Sequence, residues 1–262
     1  MSGAMSSANP RFDLAGKVVV ITGGGKGIGK VYAREFARVG ARVVAADIDG
    51  EAAEAVAAEI GKSGGEALGI LTDIADPAAV DALARATIER FGGVDVLINN
   101  ASLMSALARR SWLEIPVDEW DRVMAVNLRG MFLCCRAFVP PMRHKGYGKI
   151  VNISSSRVWE GTPNRLHYTT SKAGVIGFTR ALAREVGPWG ITVNAVTPGN
   201  TQSDTQVGTS SPEYLKGRIE GRAIGRAQVP ADLVGAVMFL ASPASDFMTG
   251  QTINVDGGRM MH

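Results

Sequence analysis

Short runs of β-branched and aliphatic residues alternate along the chain with longer segments whose apolar positions recur every three to four residues. Lys17–Thr22 (K-V-V-V-I-T) is an unbroken apolar run ending at a glycine cluster, which predicts a parallel strand buried on both faces. A helical period follows over Ile28–Val39 and is closed by Gly40. The same reasoning predicts strands at Arg42–Asp47, Ala67–Thr72, Val94–Asn99, Lys149–Ser154, Ile191–Thr197 and Thr252–Val255. Helices are predicted at Glu51–Ile60, Pro77–Phe91, Glu119–Lys145 (broken or shaped near Pro140-Pro141), Thr169–Glu185 and Asp232–Leu240, with a short one after Pro212. Strict alternation of this kind implies right-handed βαβ crossovers, hence an α/β fold with a doubly wound parallel sheet and helices on both faces.

No linker-like shift in composition divides the chain, so residues 12–262 are expected to form a single domain. Residues 1–11 are small and polar and read as a disordered tail, and the polar, turn-rich stretch at about 200–229 reads as a substrate lid. In open parallel sheets, ligands bind beyond the carboxyl ends of the strands. Thr22, Asp47, Asp73, Asn99, Ser154, Ser155, Pro198 and Gly199 all fall there. Packing alone gives no reason for such a concentration of polar residues.

Composition narrows the function. At 46% hydrophobic and 20% charged the chain is ordinary for a globular protein, and the net charge of +3 is spread without a block of like charges. Nucleic acid is therefore not expected as the main partner. No run approaches eighteen apolar residues, so no membrane span is expected, and the cytoplasm is the simplest location. Cys134 and Cys135 are adjacent in an apolar helical run and suit packing better than a disulfide or a metal site. His144, His167 and His262 are far apart and form no ligand cluster.

Two constellations carry chemistry. Tyr168 and Lys172 are four residues apart, which on a helix places phenol and ammonium on one face. A cation beside a phenol favours the phenolate and brings proton exchange closer to neutral pH. The second constellation is Thr22-Gly23-Gly24-Gly25-Lys26-Gly27-Ile28-Gly29, between the first strand and the first helix. Glycines there permit positive φ and let helix amides approach a pyrophosphate. Asp47, at the end of the second strand, suits the ribose hydroxyls of NAD and repels the 2′-phosphate of NADP, whereas Lys26 favours that phosphate. The carboxylate outweighs the exposed lysine, so NAD is preferred and NADP remains possible. Asp73 would meet the adenine edge or cap the helix before Pro77.

Together these segments resemble the short-chain dehydrogenase/reductase family in its classical branch, from about Leu14 to Gly258. The motifs are Thr22–Gly29, N-N-A-S at Asn99–Ser102, Asn127, Ser155, Y-T-T-S-K at Tyr168–Lys172, N-A-V-T-P-G at Asn194–Gly199, and G-Q-T-I-N-V-D-G-G near the C-terminus. The resemblance implies a Rossmann-type domain and an NAD(P)-dependent oxidoreductase acting on a small secondary alcohol or ketone, or an aromatic alcohol or aldehyde. It implies catalytic roles for Asn127, Ser155, Tyr168 and Lys172: proton transfer by Tyr168, ribose binding and pKa lowering by Lys172, an oxygen-directed hydrogen bond from Ser155, and a water positioned by Asn127. The cofactor would contact Gly23, Gly25, Lys26, Gly27, Ile28, Gly29, Asp47, Ile48, Asp73, Ile74, Asn100, Ala101, Ser102, Tyr168, Lys172, Pro198, Gly199, Thr201 and Ser203. Ser102 replaces the family's usual glycine, and Thr201 and Ser203 replace an aliphatic residue and a threonine.

The substrate pocket is expected to use Leu103, Met104, Ser155, Arg157, Trp159 and His167, and local strings resemble bacterial NAD-dependent aromatic alcohol dehydrogenases. The alternatives are a 3-oxoacyl-acyl-carrier-protein reductase using NADPH and a non-catalytic NAD-sensing regulator. Such a regulator would have a broken Ser/Tyr/Lys set, and all three residues are present here. The resemblance also implies a homotetramer packed through the helices near Glu119–Lys145 and Thr169–Glu185, with a small molecule as substrate.

Overall fold

The computed structural model describes residues 12–206 and 212–261. The tail predicted at residues 1–11, and residues 207–211 of the predicted lid, lie outside this range. Among the described residues, β1 (Val18–Thr22), β2 (Arg42–Asp47), β3 (Ala67–Leu71), β4 (Val96–Asn99), β5 (Gly148–Ile153), β6 (Ile191–Pro198) and β7 (Thr252–Val255) form one parallel sheet. Its order is β3-β2-β1-β4-β5-β6-β7. Strand order therefore reverses between β1 and β4, the switch point at which such sheets open a crevice.

The alternation of side chains along each strand divides the core in two. Val19 and Ile21 point to the face covered by α1 (Gly27–Arg38), α2 (Gly50–Lys62) and α9 (Ala231–Ala241), where Tyr32, Phe36, Val56, Leu233 and Val237 are buried. Val18 and Val20 point to the opposite face, covered by α3 (Pro77–Phe91), α5 (Met131–Lys145) and α7 (Leu166–Val186). Central strands β1, β4, β5 and β6 are buried along their whole length, which is why they are rich in β-branched and aliphatic residues, and the polar side chains within them, such as Asn152 and Asn194, are hydrogen-bonded. The predicted doubly wound sheet is the observed fold.

The helices depart from expectation in instructive ways. The N-cap of α3 is Asp76, whose side chain accepts from Ala78 N–H at 3.0 Å, so Asp73 does not cap it. Pro140 and Pro141 do not break α5. Burial of Phe138 and Met142 on either side of them holds the helix despite the missing N–H donors. Between α4 (Val117–Met124) and α5 runs a widened, π-helical segment, Ala125–Gly130, and Asn127 lies within it. Together these make a helix, Val117–Lys145, that is long and apolar enough to cross a membrane by length and composition. Its Leu133, Cys134, Cys135, Phe138 and Met142 are instead part of the core, which accounts for that composition.

A short helix, α6 (Arg157–Glu160), fills part of the segment between Ser155 and Tyr168 that the sequence left unassigned. Gly161 and Asn164 then take left-handed backbone conformations, and α7 begins at Leu166, earlier than predicted. Tyr168 therefore lies in the first turn of α7. The segment after Pro198 includes α8 (Pro212–Glu220), in agreement with the helix expected after Pro212.

Candidate active site

The carboxyl ends of the strands open into one cleft of about 410 Å³. Its floor at one end is the turn after β1. Gly27 there has φ +57°, and a Cβ at Gly29 would lie 2.0 Å from the Gly23 carbonyl oxygen. Only glycine permits that approach, so the turn exposes its backbone. Gly23, Lys26, Gly27 and Ile28 line the cleft, with Gly25 and Gly29 shaping the turn behind them.

Asp47 sits beside this turn. Its Oδ2 accepts from Gly25 N–H at 2.9 Å and its Oδ1 from Asp49 N–H at 3.1 Å, which fixes the carboxylate at the cleft wall. The Lys26 ammonium forms an ion pair with Asp49 and is exposed. Each partner favours the charged form of the other, raising the lysine's pKa and lowering the aspartate's. The cation that argued for NADP is thus already matched by a carboxylate, with a second carboxylate, Asp47, close by.

Ile48 is exposed on the rim and Ile74 is buried below it. Asp73 lines the cleft and closes a local turn by accepting from Ala75 N–H at 2.8 Å. Asn100 Nδ2 donates to the Thr22 and Gly23 carbonyls, and the Ala101 amide donates to Thr22 Oγ1, tying β4 to the glycine turn. Ser102, where the family usually has glycine, is exposed at the cleft rim. Pro198, Gly199, Thr201 and Ser203 line the opposite wall. Thr201 Oγ1 donates to the Gly199 carbonyl at 3.1 Å, and Ser203 Oγ lies 3.0 Å from Thr205 Oγ1. Asp204 was not foreseen: its Oδ1 accepts from Gly27 N–H at 2.8 Å and ties this wall to the glycine turn.

At the far end of the cleft Ser155, Tyr168 and Lys172 converge. Tyr168 and Lys172 are buried, and the Tyr168 phenol shares a hydrogen bond with the Ser155 side chain. The neighbouring Ser154 hydroxyl is engaged elsewhere, donating to the Lys172 carbonyl at 2.7 Å. Burial pushes the Tyr168 pKa up, while the Ser155 hydrogen bond and the charges of Arg157 and Arg165 pull it down. Lys172 Nζ lies 5.8 Å from the Tyr168 ring centre and donates to the Ile153 carbonyl at 2.8 Å. The Lys172 ammonium thus faces the Tyr168 ring, and the charges of Arg157 and Arg165 add to it at the phenol. Burial lowers the Lys172 pKa to about 7.

Asn127 is buried behind this set. Its Oδ1 accepts from Leu103 N–H at 2.8 Å, and its Nδ2 donates to the Leu103 carbonyl at 3.3 Å and to Ser171 Oγ at 3.0 Å. Its side chain holds the loop after β4 and ties it to α7.

Of the expected substrate contacts, Leu103, Met104, Ser155 and Arg157 line the cleft, whereas Trp159 and His167 do not. His167 is fully buried on the other side of α7, with Nε2 3.1 Å from Glu119 Oε1. Adjacent residues on a helix diverge by about 100°, so a neighbour of Tyr168 points elsewhere. Trp159 lies on α6 outside the lining. The sequence reading missed Arg165, which lines the cleft and is 8% exposed. It donates to Met104 Sδ at 3.0 Å and to the Leu107 carbonyl at 2.8 Å. Arg165 precedes α7 in a non-helical conformation, so its approach to the cleft follows from how the chain enters the helix, which helical periodicity does not reveal. Glu160 was missed too: buried, it accepts two hydrogen bonds from Arg218 at 2.7 and 2.9 Å, one from Arg259 Nε at 2.6 Å and one from Thr162 at 2.7 Å.

The glycine turn, the carboxylate at the end of β2 and a proton-transfer set at the opposite end together fit an extended dinucleotide. Among the described residues no group of histidine, cysteine, aspartate and glutamate has the arrangement of a metal site.

Comparison with known proteins agrees. The family described as Enoyl-(Acyl carrier protein) reductase matches residues 23–260. A hydroxy(phenyl)methyl-succinyl-CoA dehydrogenase subunit, BbsD, from Thauera aromatica is 41% identical over 247 residues, covering 94% of this chain and 97% of that protein. A 3-oxoacyl-acyl-carrier-protein reductase from Synechocystis is 37% identical over 250 residues, covering 95% of this chain and 98% of its own. A solved 3-ketoacyl-acyl-carrier-protein reductase from Brucella melitensis, complexed with NADH, superposes with a TM-score of 0.87 at 36% identity, covering 95% of this chain and 100% of that one. With fold, cleft and relatives in agreement along nearly its whole length, the chain belongs to the short-chain dehydrogenase/reductase family and is an NAD(P)-dependent oxidoreductase acting on CH–OH donors.

Proposed function

We propose that the protein is an NAD-preferring dehydrogenase of a small secondary alcohol or ketone, or of an aromatic alcohol or aldehyde, with Tyr168 as its acid/base. The observation that carries this reading is the convergence of Ser155, Tyr168 and Lys172 at the end of the cleft opposite Asp47. Gly23, Gly27, Asp47, Asn100 and Gly199 would hold the cofactor, which when bound supplies the hydride acceptor or donor. In the oxidising direction Tyr168 takes the proton from the substrate hydroxyl, and in the reducing direction it returns one to the carbonyl oxygen. Ser155 donates a hydrogen bond to that oxygen and holds charge as it develops. Leu103 and Met104 give the substrate end of the cleft an apolar wall that keeps water from the reacting oxygen.

Preference for NAD is supported by the two carboxylates beside the glycine turn, Asp47 held by backbone amides and Asp49 paired with Lys26. A 2′-phosphate there would have to compete with both. The 3-oxoacyl-acyl-carrier-protein reductase reading draws on the Synechocystis and Brucella relatives and on Arg109, an exposed cation on the cleft rim. A carrier-protein thioester assay with NADH and NADPH separates the two.

Assembly into a homotetramer is supported by an apolar groove of about 680 Å³ between α5 and α7, lined by Phe132, Val139, Phe178, Leu182 and Trp189. Two free, buried thiols at Cys134 and Cys135 suit the reducing cytoplasm. The decisive test is Tyr168→Phe: NADH binding, read by fluorescence, should persist within about threefold, while turnover falls by about a thousandfold or more, from loss of the acid/base. Turnover within tenfold of wild type would sink the assignment.

A further inference from the structure

Along the cleft the carboxylates stand at one end, where Lys26 is already paired with Asp49, and the arginines stand at the other. Among the described residues that line it, the carboxylates are Asp47 and Asp73, both at the ends of β2 and β3. The end containing Tyr168 is lined instead by Arg109, Arg157, Arg165 and Arg218. Arg218 is matched by the buried Glu160. Arg157 is not matched: among the described residues it forms no ion pair, its Nη2 donates to the Pro163 carbonyl at 3.3 Å, and its buried Nε has no hydrogen-bond partner. A guanidinium offers five donors in a planar fork, and burying part of one without an anion is costly. Arg157 is also close to the chemistry. It follows Ser155 by two residues, its amide donates to Ser155 Oγ at 3.3 Å, and its charge acts on the Tyr168 phenol.

We propose that the substrate carries a carboxylate a few bonds from its reacting carbon, bound by Arg157. This rests on the dehydrogenase reading and narrows it to a hydroxy acid or oxo acid with an apolar remainder packed on Leu103 and Met104. Proximity to Ser155 is what favours a carboxylate of the substrate itself over the more distant phosphates of a carrier thioester. Arg157 is a specificity residue for that anion, and Arg165, behind Met104, adds to the positive field.

Binding tests this separately from turnover. The Tyr168→Phe protein saturated with NADH is titrated with 3-oxo-3-phenylpropanoate, with its methyl ester and with its CoA thioester, read by NADH fluorescence. The acid should bind at least tenfold more tightly than the ester. Adding Arg157→Gln should reduce that preference by about ten- to a hundredfold, the value of a charge-assisted hydrogen bond, and Arg157→Lys should restore part of it. Equal binding of acid and ester, a preference that survives Arg157→Gln, or failure of both to bind would overturn the proposal. A CoA thioester that outbinds the acid through Arg157 would also overturn it, by assigning the arginine to a carrier phosphate. Failure of the dehydrogenase reading looks different: NADH would not bind, or Tyr168→Phe would still turn over.

Discussion

Glu160 offers the strongest stability test in the molecule. Its side chain is 7% exposed and joins α6 to Arg218 on α8 and to Arg259 near the C-terminus. The carboxylate accepts four hydrogen bonds, three of them from guanidinium groups, and these hold its pKa below the usual carboxylate value against the opposing effect of burial. Glu160→Gln keeps the shape and removes the charge. Removing one partner from a buried ion pair costs about 3–5 kcal/mol. Arg259 is 23% exposed and regains part of that from water, so about 2–4 kcal/mol is expected. The pH dependence has a fixed sign. A depressed folded-state pKa contributes stability above the unfolded carboxylate pKa, and the contribution is lost as pH falls through the folded value. Urea unfolding, followed by tryptophan fluorescence and far-UV circular dichroism, should therefore show the variant markedly weaker at pH 7. The gap to wild type should narrow below about pH 4. Equal midpoints at pH 7, or a gap that widens in acid, would refute the reasoning.

Three further outcomes follow from the site and its surroundings. Asp47→Ala should raise kcat/KM with NADP relative to NAD by about ten- to a hundredfold, from removal of one anion facing a phosphate; an unchanged ratio in steady-state kinetics would show that Asp49 governs the choice. Lys172 has a folded pKa near 7, so between about pH 7 and 10 the unfolded chain holds more protons and this group favours folding as pH rises. Urea midpoints at pH 7 and 9 should thus shift in favour of wild type over Lys172→Met, and a shift the other way contradicts the burial argument. Phe132 is 47% exposed in the α5/α7 groove, and Phe132→Glu should lower the mass measured by light scattering while leaving far-UV circular dichroism unchanged.

Much of the architecture was legible because it follows from periodicity. The apolar runs of β1 and β2 and the Pro77 start of α3 are local signals that the tertiary structure reinforces. The glycine turn and Tyr168 were legible because their geometry needs those residue types. Other features depend on contacts distant in sequence. Nothing local reveals that Asp204 meets the Gly27 amide or that Arg259 reaches Glu160. Pro140 and Pro141 carry a strong local signal for a break, and packing at Phe138 and Met142 overrides it. His167 misled for a rotational reason: proximity to Tyr168 in sequence placed it on the far side of the helix, while Arg165, just ahead of the helix, faces the cleft.

The grip of Asn127 on residue 103 bears on how such an enzyme changes over generations. Both contacts, 2.8 Å to the amide and 3.3 Å to the carbonyl, are to backbone atoms, so the hold is blind to the side chain at that position. A leucine there can become polar, aromatic or small while the chain path past the reacting groups stays fixed. Selection can then retune what is recognised without first rebuilding what reacts, and a saturation library at positions 103 and 104 should keep most of its members folded and cofactor-competent.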